Sequence, residues 1–316
     1  TEIYNSGRLN LVMQTTNKLT IAVLVFLVLI SFFASFAQAQ TWTQLLPTNS
    51  PSPRLAFGLA YDSVNNKVVM FGGQNNVGTI FGETWVYDVT ANTWSNMNPP
   101  NPPSIREQPG MAYDVQSGLV VLFGGRTSSF VELNDLWVYD VNANTWTQRF
   151  PPISPPARST HGFSYDSVSA LMIMHAGSPN FFYSDTWTYN TQTNTWTNMN
   201  PPSPIPAGAD HLFLVYDALN QKTLSPGAHR YSGATGIYSN DLWAYDYPTN
   251  RWTERIDATT DPSVPFARDH HNGAYLGNGL TLLFGGRAAG GLPATDTNTY
   301  VYNYATNAWT QYSLSP

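Results

Sequence analysis

Phe71-Gly72-Gly73, then Trp85-Val86-Tyr87-Asp88, then Asn92-Thr93-Trp94: this succession decides the fold, because it comes back. Phe123-Gly124-Gly125, Trp137-Val138-Tyr139-Asp140 and Asn144-Thr145-Trp146 repeat it at the same internal spacing. Trp187 and Trp196, Trp243 and Trp252, and Tyr300 and Trp309 keep the same nine-residue step. The second aromatic of the pair recurs after 52, 50, 56 and 57 residues. Trp42 stands 52 residues before Trp94, so all ten tryptophans fall into one series.

Each copy reads as four short β segments. Strand a ends in Tyr-Asp, as at Tyr61-Asp62 and Tyr113-Asp114, and strand b is an apolar run into Gly-Gly. Strand c carries aromatics at alternate positions, the pattern of a half-buried strand. Strand d begins at Asn-x-Trp, after a tight turn where Asp88 and its counterparts can bond the backbone. A lone four-stranded sheet cannot bury both faces, whereas copies stacked around an axis can. The expectation is an all-β propeller of five complete blades, at about 54–98, 106–150, 158–200, 208–256 and 268–313. Copies three and four depart from the pattern, with His175-Ala176-Gly177 and Pro226-Gly227-Ala228 in place of Phe-Gly-Gly, and copy four opens at Gly208 where others have Arg.

Gly-Gly after strand b, an aromatic-x-Tyr-Asp strand, Asn-x-Trp, and Arg-x-x-His openings such as Arg158-Ser159-Thr160-His161 together resemble the kelch repeat, whose period is about 50 residues. The resemblance covers residues 41 to 313. It implies a kelch-type β-propeller, a family of protein-binding modules, sugar-binding domains and a few enzymes, so the fold does not select one activity. Kelch rings commonly close with an N-terminal strand that completes the last blade. Here Thr41-Trp42-Thr43-Gln44-Leu45 is one extra d strand, while the fifth copy already owns its own at Asn307-Ala308-Trp309. The expectation is therefore a six- or seven-bladed ring to which these five blades belong; the rival is a five-bladed ring with a loose N-terminal strand.

Residues 19 to 36 form an uncharged apolar run with Lys18 before it and Ala37-Gln38-Ala39 after it. That is the form of a signal peptide, with cleavage after Ala39 and the propeller spanning 40–316. The alternative is an uncleaved membrane anchor at the short end of spanning length. A secreted or cell-surface location, extracellular or periplasmic, follows from either. The net charge of −6 and the presence of only three lysines argue against nucleic acid and against anionic membranes. With no cysteine, disulfides, thiolate zinc sites and thiol catalysis are excluded.

Function is expected on the face carrying the b–c and d–a connections, since the b–c segments vary most in length. Arg126 and Arg287 follow Gly-Gly directly and His229 holds the matching place in copy four. They would rim the channel, where Arg can hold a carboxylate through paired hydrogen bonds; solvated or locally bonded arginines are the alternative. Phe181, Phe182, Tyr183, Tyr231 and Tyr238 fall in b–c segments and would suit a glycan or protein ligand, or pack within their loops. Arg54, Arg106, Arg158 and Arg268 recur at the openings of strand a, which suggests a structural task such as bonding the neighbouring blade. His161 and His271 are expected to be packed or hydrogen-bonded. His270 and His271 are adjacent on a strand and so point to opposite faces, and no metal or other cofactor is expected.

The sequence holds no Gly-x-Ser-x-Gly, His-Glu-x-x-His or phosphate loop. The copper radical oxidases among kelch proteins need a Cys-Tyr crosslink that a chain without cysteine cannot form. No catalytic residue is assigned. The leading expectation is a non-catalytic module binding a protein or glycan; a sugar-modifying enzyme at the channel mouth and a structural adhesin or spacer are the alternatives.

Overall fold

The computed structural model describes residues 42–179, 183–232, 235–257, 264–288 and 298–312. The apolar segment at 19–36 and Phe181 and Phe182 lie outside them. Every regular element among the described residues is a β-strand. The first blade is a meander of β1 (Gly58–Asp62), β2 (Lys67–Phe71), β3 (Thr84–Asp88) and β4 (Thr93–Asn96). The second repeats it with β5 (Gly110–Asp114), β6 (Leu119–Phe123), β7 (Leu136–Asp140) and β8 (Thr145–Arg149), and the third with β9 (Gly162–Asp166), β10 (Leu171–His175), β11 (Thr186–Asn190) and β12 (Thr195–Asn198).

The fourth blade is irregular, in line with its divergent sequence. Its first strand is broken into β13 (Ala209–Asp210) and β14 (Val215–Asp217), both paired with β15 (Lys222–Ser232), and β16 (Thr235–Asp246) and β17 (Arg251–Ile256) follow. A bulge between Pro226 and Ala228 shifts the β15–β16 register. The fifth blade contains β18 (Arg268–Asp269), β19 (Asn272–Gly277), β20 (Leu280–Phe284), β21 (Arg287–Ala288), β22 (Thr299–Asn303) and β23 (Ala308–Tyr312). Here β18 pairs with β21 apart from the four-stranded sheet. Innermost strands of consecutive blades touch: β1 with β5, β5 with β9, β9 with β14, and β14 with β19.

The recurring residues now have physical reasons. Tyr87 and Trp94 face each other across β3 and β4, with ring centroids 5.1 Å apart. Asn92 takes φ 53° at the turn between them and accepts a 2.7 Å hydrogen bond from the Tyr87 hydroxyl. The same bond recurs at Tyr139–Asn144, Tyr189–Asn194, Tyr245–Asn250 and Tyr302–Asn307. Asparagine tolerates this left-handed conformation better than most side chains. Its amide also ties blades together: Asn144 donates to the Met97 carbonyl and Asn250 to that of Met199. Asp88 and Asp140 accept backbone N–H groups in their turns, as expected.

Tryptophans fill the spaces between blades. Trp146 of the second blade meets Phe71 of the first edge-on, and its indole N–H donates to Thr84 Oγ1 at 2.9 Å. Trp252 repeats this toward Thr186 of the third blade. Four apolar clusters lie between consecutive blades, from the first pair to the fourth. Among the described residues no such cluster joins the fifth blade to the first. Leu59 and Tyr61 on the first blade, and Leu276 and Phe284 on the fifth, are exposed. Residues 42 to 47 form no strand, and Trp42 is 56% exposed.

The Gly-Gly pair links neighbours through the backbone. Gly73 N donates to Arg106 O, Gly125 N to Arg158 O, and Gly177 N to Ala209 O, each into the next blade. The second glycine stands at φ 89°, 96° and 106° in these blades, where a side chain is strained. In the third blade Ala176 occupies the first position at φ 59°. The Ala209 bond also corrects the reading of copy four: strand a opens at Ala209, one residue after Gly208.

Candidate functional site at the channel mouth

In each blade the residue after Arg54, Arg106, Arg158, Ala209 or Arg268 pairs with the residue that follows strand b. The pairs are Leu55 with Gln74, Glu107 with Arg126, Ser159 with Ser178, Asp210 with His229, and Asp269 with Arg287. The next residue in each blade is left-handed: Ala56, Gln108, Thr160, His211 and His270 have φ between 50° and 59°. That turn aims all five side chains at one cavity of about 380 Å³, which they line together. Gln74, Gln108, Arg126, His211, His270 and Arg287 also share a cavity at the mouth.

Arg126 and Arg287 thus rim the channel, but each is already paired inside its own blade. Arg126 Nε donates to Glu107 Oε1 at 2.6 Å, and its guanidinium lies 5.1 Å from the Phe130 ring. Arg287 grips Asp269 with Nε and Nη2 at 3.1 and 2.9 Å. Burial works against ionisation of Asp269, yet hydrogen bonds from His270 and Arg287 hold its carboxyl well below the usual range. Burial raises Glu132 opposite Arg126. Four carboxyl groups, Glu107, Glu132, Asp210 and Asp269, therefore surround two guanidinium groups. Both arginines are thus locally bonded, the alternative open from sequence, and each is the more exposed partner of its pair.

His229, Tyr231 and Tyr238 do come together, though not on a loop. β15 and β16 run on as a hairpin, with His229 opposite Tyr238 and their rings stacked 4.8 Å apart. His229 Nδ1 lies 3.1 Å from Asp210 Oδ1 and 3.1 Å from the Tyr231 hydroxyl. Tyr183 is half-buried, with the Arg158 guanidinium 4.3 Å above its ring, which is a packing role.

The arginines that open strand a are structural, with a different division of labour from that expected. The carbonyls of Arg106 and Arg158 bond the neighbouring blade while their side chains stay within their own. Arg106 Nη1 reaches Gly124 O at 3.0 Å, and Nη1 and Nη2 fork onto Asp135 at 2.6 and 2.7 Å. Arg158 does the same with Ala176 O and Asp185. Trp137 and Trp187 donate their indole N–H to these same carboxylates. Burial would raise Asp135 and Asp185, but the arginine and tryptophan bonds outweigh it and lower both. Carboxylates held this way are structural, not acid–base groups. His161 and His271 are buried, and His271 Nε2 meets Pro226 O at 2.7 Å.

Sequence reasoning missed the pairing of His211 with His270. Adjacent His270 and His271 do part, one to the channel and one into the blade, but the ring brings His270 against the equivalent residue of the preceding blade. Their imidazoles stack with centroids 3.6 Å apart. The detectable signal was register: once Ala209 is aligned with Arg268, both histidines fall two residues further on.

A rigid β ring with chemically mixed side chains at one end of its axis is the architecture of a propeller interaction domain. Residues 29–225, more than half of the chain, match the family model described as the KLHDC2/KLHL20/DRC7 Kelch-repeats domain. The chain belongs to the kelch-repeat family, whose propellers are in general protein-interaction domains without catalysis. Curated relatives include an Acyl-CoA-binding domain-containing protein 4 of Arabidopsis thaliana, 27% identical over 36% of this chain and 17% of its own length. An F-box/kelch-repeat protein of the same plant is 31% identical over 32% of this chain and 22% of its own. The matched stretches thus span about a fifth of those relatives.

Proposed function

We propose that the propeller takes a protein ligand at the channel mouth, on the face carrying the b–c connections, without transforming it. One observation carries this reading: the five repeats keep their structural residues and diversify where they surround the axis. Tyr, Asn and Trp recur from blade to blade, whereas the residues after strand b are Gln74, Arg126, Ser178, His229 and Arg287. Equivalent positions with varied side chains are how a repeated scaffold presents a specific surface. The favoured ligand is a polypeptide segment, with Tyr231 and Tyr238 offering aromatic contact area. A peptide library displayed on phage and selected on the purified chain tests this. Enrichment of related peptides, with binding weakened at least about tenfold in Arg126→Gln or Tyr238→Ala, supports it. Peptides that bind these variants as well as the parent place the site elsewhere. Selective capture of glycans but no peptide would overturn the choice of ligand class.

Two further readings accompany it. The apolar run at residues 19–36 supports export, tested by looking for Gln40 as the N-terminus of protein recovered from the medium or periplasm. The exposed Leu59, Tyr61 and Leu276 support a sixth blade seated between the fifth and the first. Sequencing the gene beyond the Pro316 codon decides this, and a stop codon there would refute it.

A further inference from the structure

We propose that His211 and His270, together with the Asp269 carboxylate, form a binding site for a divalent transition-metal ion on the channel wall. One nitrogen from each imidazole and one carboxylate oxygen lie within 4.8 Å of one another. Ligand atoms about 2.0–2.2 Å from a common zinc ion stand roughly 3–3.5 Å apart.

Three observations point to an ion rather than to simple packing. His211 follows an aspartate that supports it, with its Nδ1 3.3 Å from Asp210 Oδ1. Carboxylate-supported imidazoles are the usual second-shell arrangement of metal sites. The surroundings are also under-satisfied, since Gln108 Oε1 is buried without a hydrogen-bond partner. Gln108 Nε2 is 3.4 Å from His211 Nε2, so its amide already borders the site. Finally, Asp210 and Asp269 outnumber Arg287 in this corner, which leaves negative charge for a cation to offset. Two imidazoles and one carboxylate suit zinc, copper or iron(II), and not the all-oxygen preference of calcium or magnesium.

The test uses the untagged chain, stripped with a chelator and titrated with Zn²⁺ by calorimetry. One ion bound per chain is expected, with affinity reduced about 10- to 100-fold or more in His211→Asn and in His270→Asn. Asparagine is chosen because it keeps the left-handed backbone and a polar side chain. Zinc that does not bind, or that binds the double variant as tightly as the parent, overturns the proposal. Should the variants fail to fold, the parent chain alone still decides: Cu²⁺ spin-resonance spectra showing two nitrogen ligands support the site, and one or none refutes it.

Discussion

Arg230 Nε donates to the Asp241 carboxylate at 2.9 Å, from a strand that carries no such arginine in the other blades. It takes over the task of the arginine that Ala209 replaces. Its Nη1 points to the Ala207 carbonyl, two residues before the strand opening, as Arg106 and Arg158 point to Ser104 and Pro156. Trp243 completes the set with an indole bond to Asp241 at 2.7 Å. The space and its carboxylate are thus preserved while the residue that fills them comes from another strand.

Arg230→Met should lower stability by about 3–5 kcal/mol, because it strands a largely buried carboxylate. Arg54→Met should cost less, since its partner Glu83 is 39% exposed and water can solvate it. Urea unfolding of the two variants measures the difference. Equal costs would mean that burial of the carboxylate is not what matters.

Trp146→Ala should cost about 3–5 kcal/mol, as it empties the space between the first two blades and leaves Thr84 without its donor. Trp94→Ala should cost clearly less, since Trp94 is only half-buried and belongs to none of the four inter-blade clusters. Chemical denaturation midpoints of both variants provide the check.

Acid should destabilise the fold well above the carboxylate range. Burial, reinforced by nearby arginine charge, pushes His161 and His175 down to about 3 in the folded chain. Unfolded histidine titrates near 6.5, so below that value the unfolded chain takes up protons that the folded chain refuses. Their stabilisation is complete above about pH 7. It should fall by about 1.4 kcal/mol per pH unit for each histidine as the pH drops from 6.5 toward 3. Melting temperatures between pH 4 and 8 should show this slope, and His161→Leu should flatten it, because Leu212 fills the equivalent place in the fourth blade.

Gly125→Ala should destabilise more than Gly78→Ala. Both glycines have positive φ, a strain of about 1–3 kcal/mol for a side chain. Only at Gly125 would the new Cβ also stand 2.8 Å from the Glu107 carbonyl, whereas the space around Gly78 is open. Thermal melts of the two variants give the comparison directly.

What the sequence by itself determined is whatever acts within one repeat. The Tyr87–Asn92 bond, the Asp88 turn and the facing of Tyr87 by Trp94 each join residues less than ten positions apart, so their spacing specifies them. Recurrence of that spacing was enough for strands, blades and the stacking of blades. Tertiary structure decided what happens where repeats converge. His211 and His270 stand 59 positions apart, and they meet because a left-handed turn in each blade aims the same position at the axis. Arg126 and Arg287 reach the rim as their position implied, but the carboxylates that engage them enter from a different strand of the same blade. Arg230 replaces an absent arginine from another strand because the space is defined by Asp241, Trp243 and a backbone carbonyl, not by the order of residues in the chain.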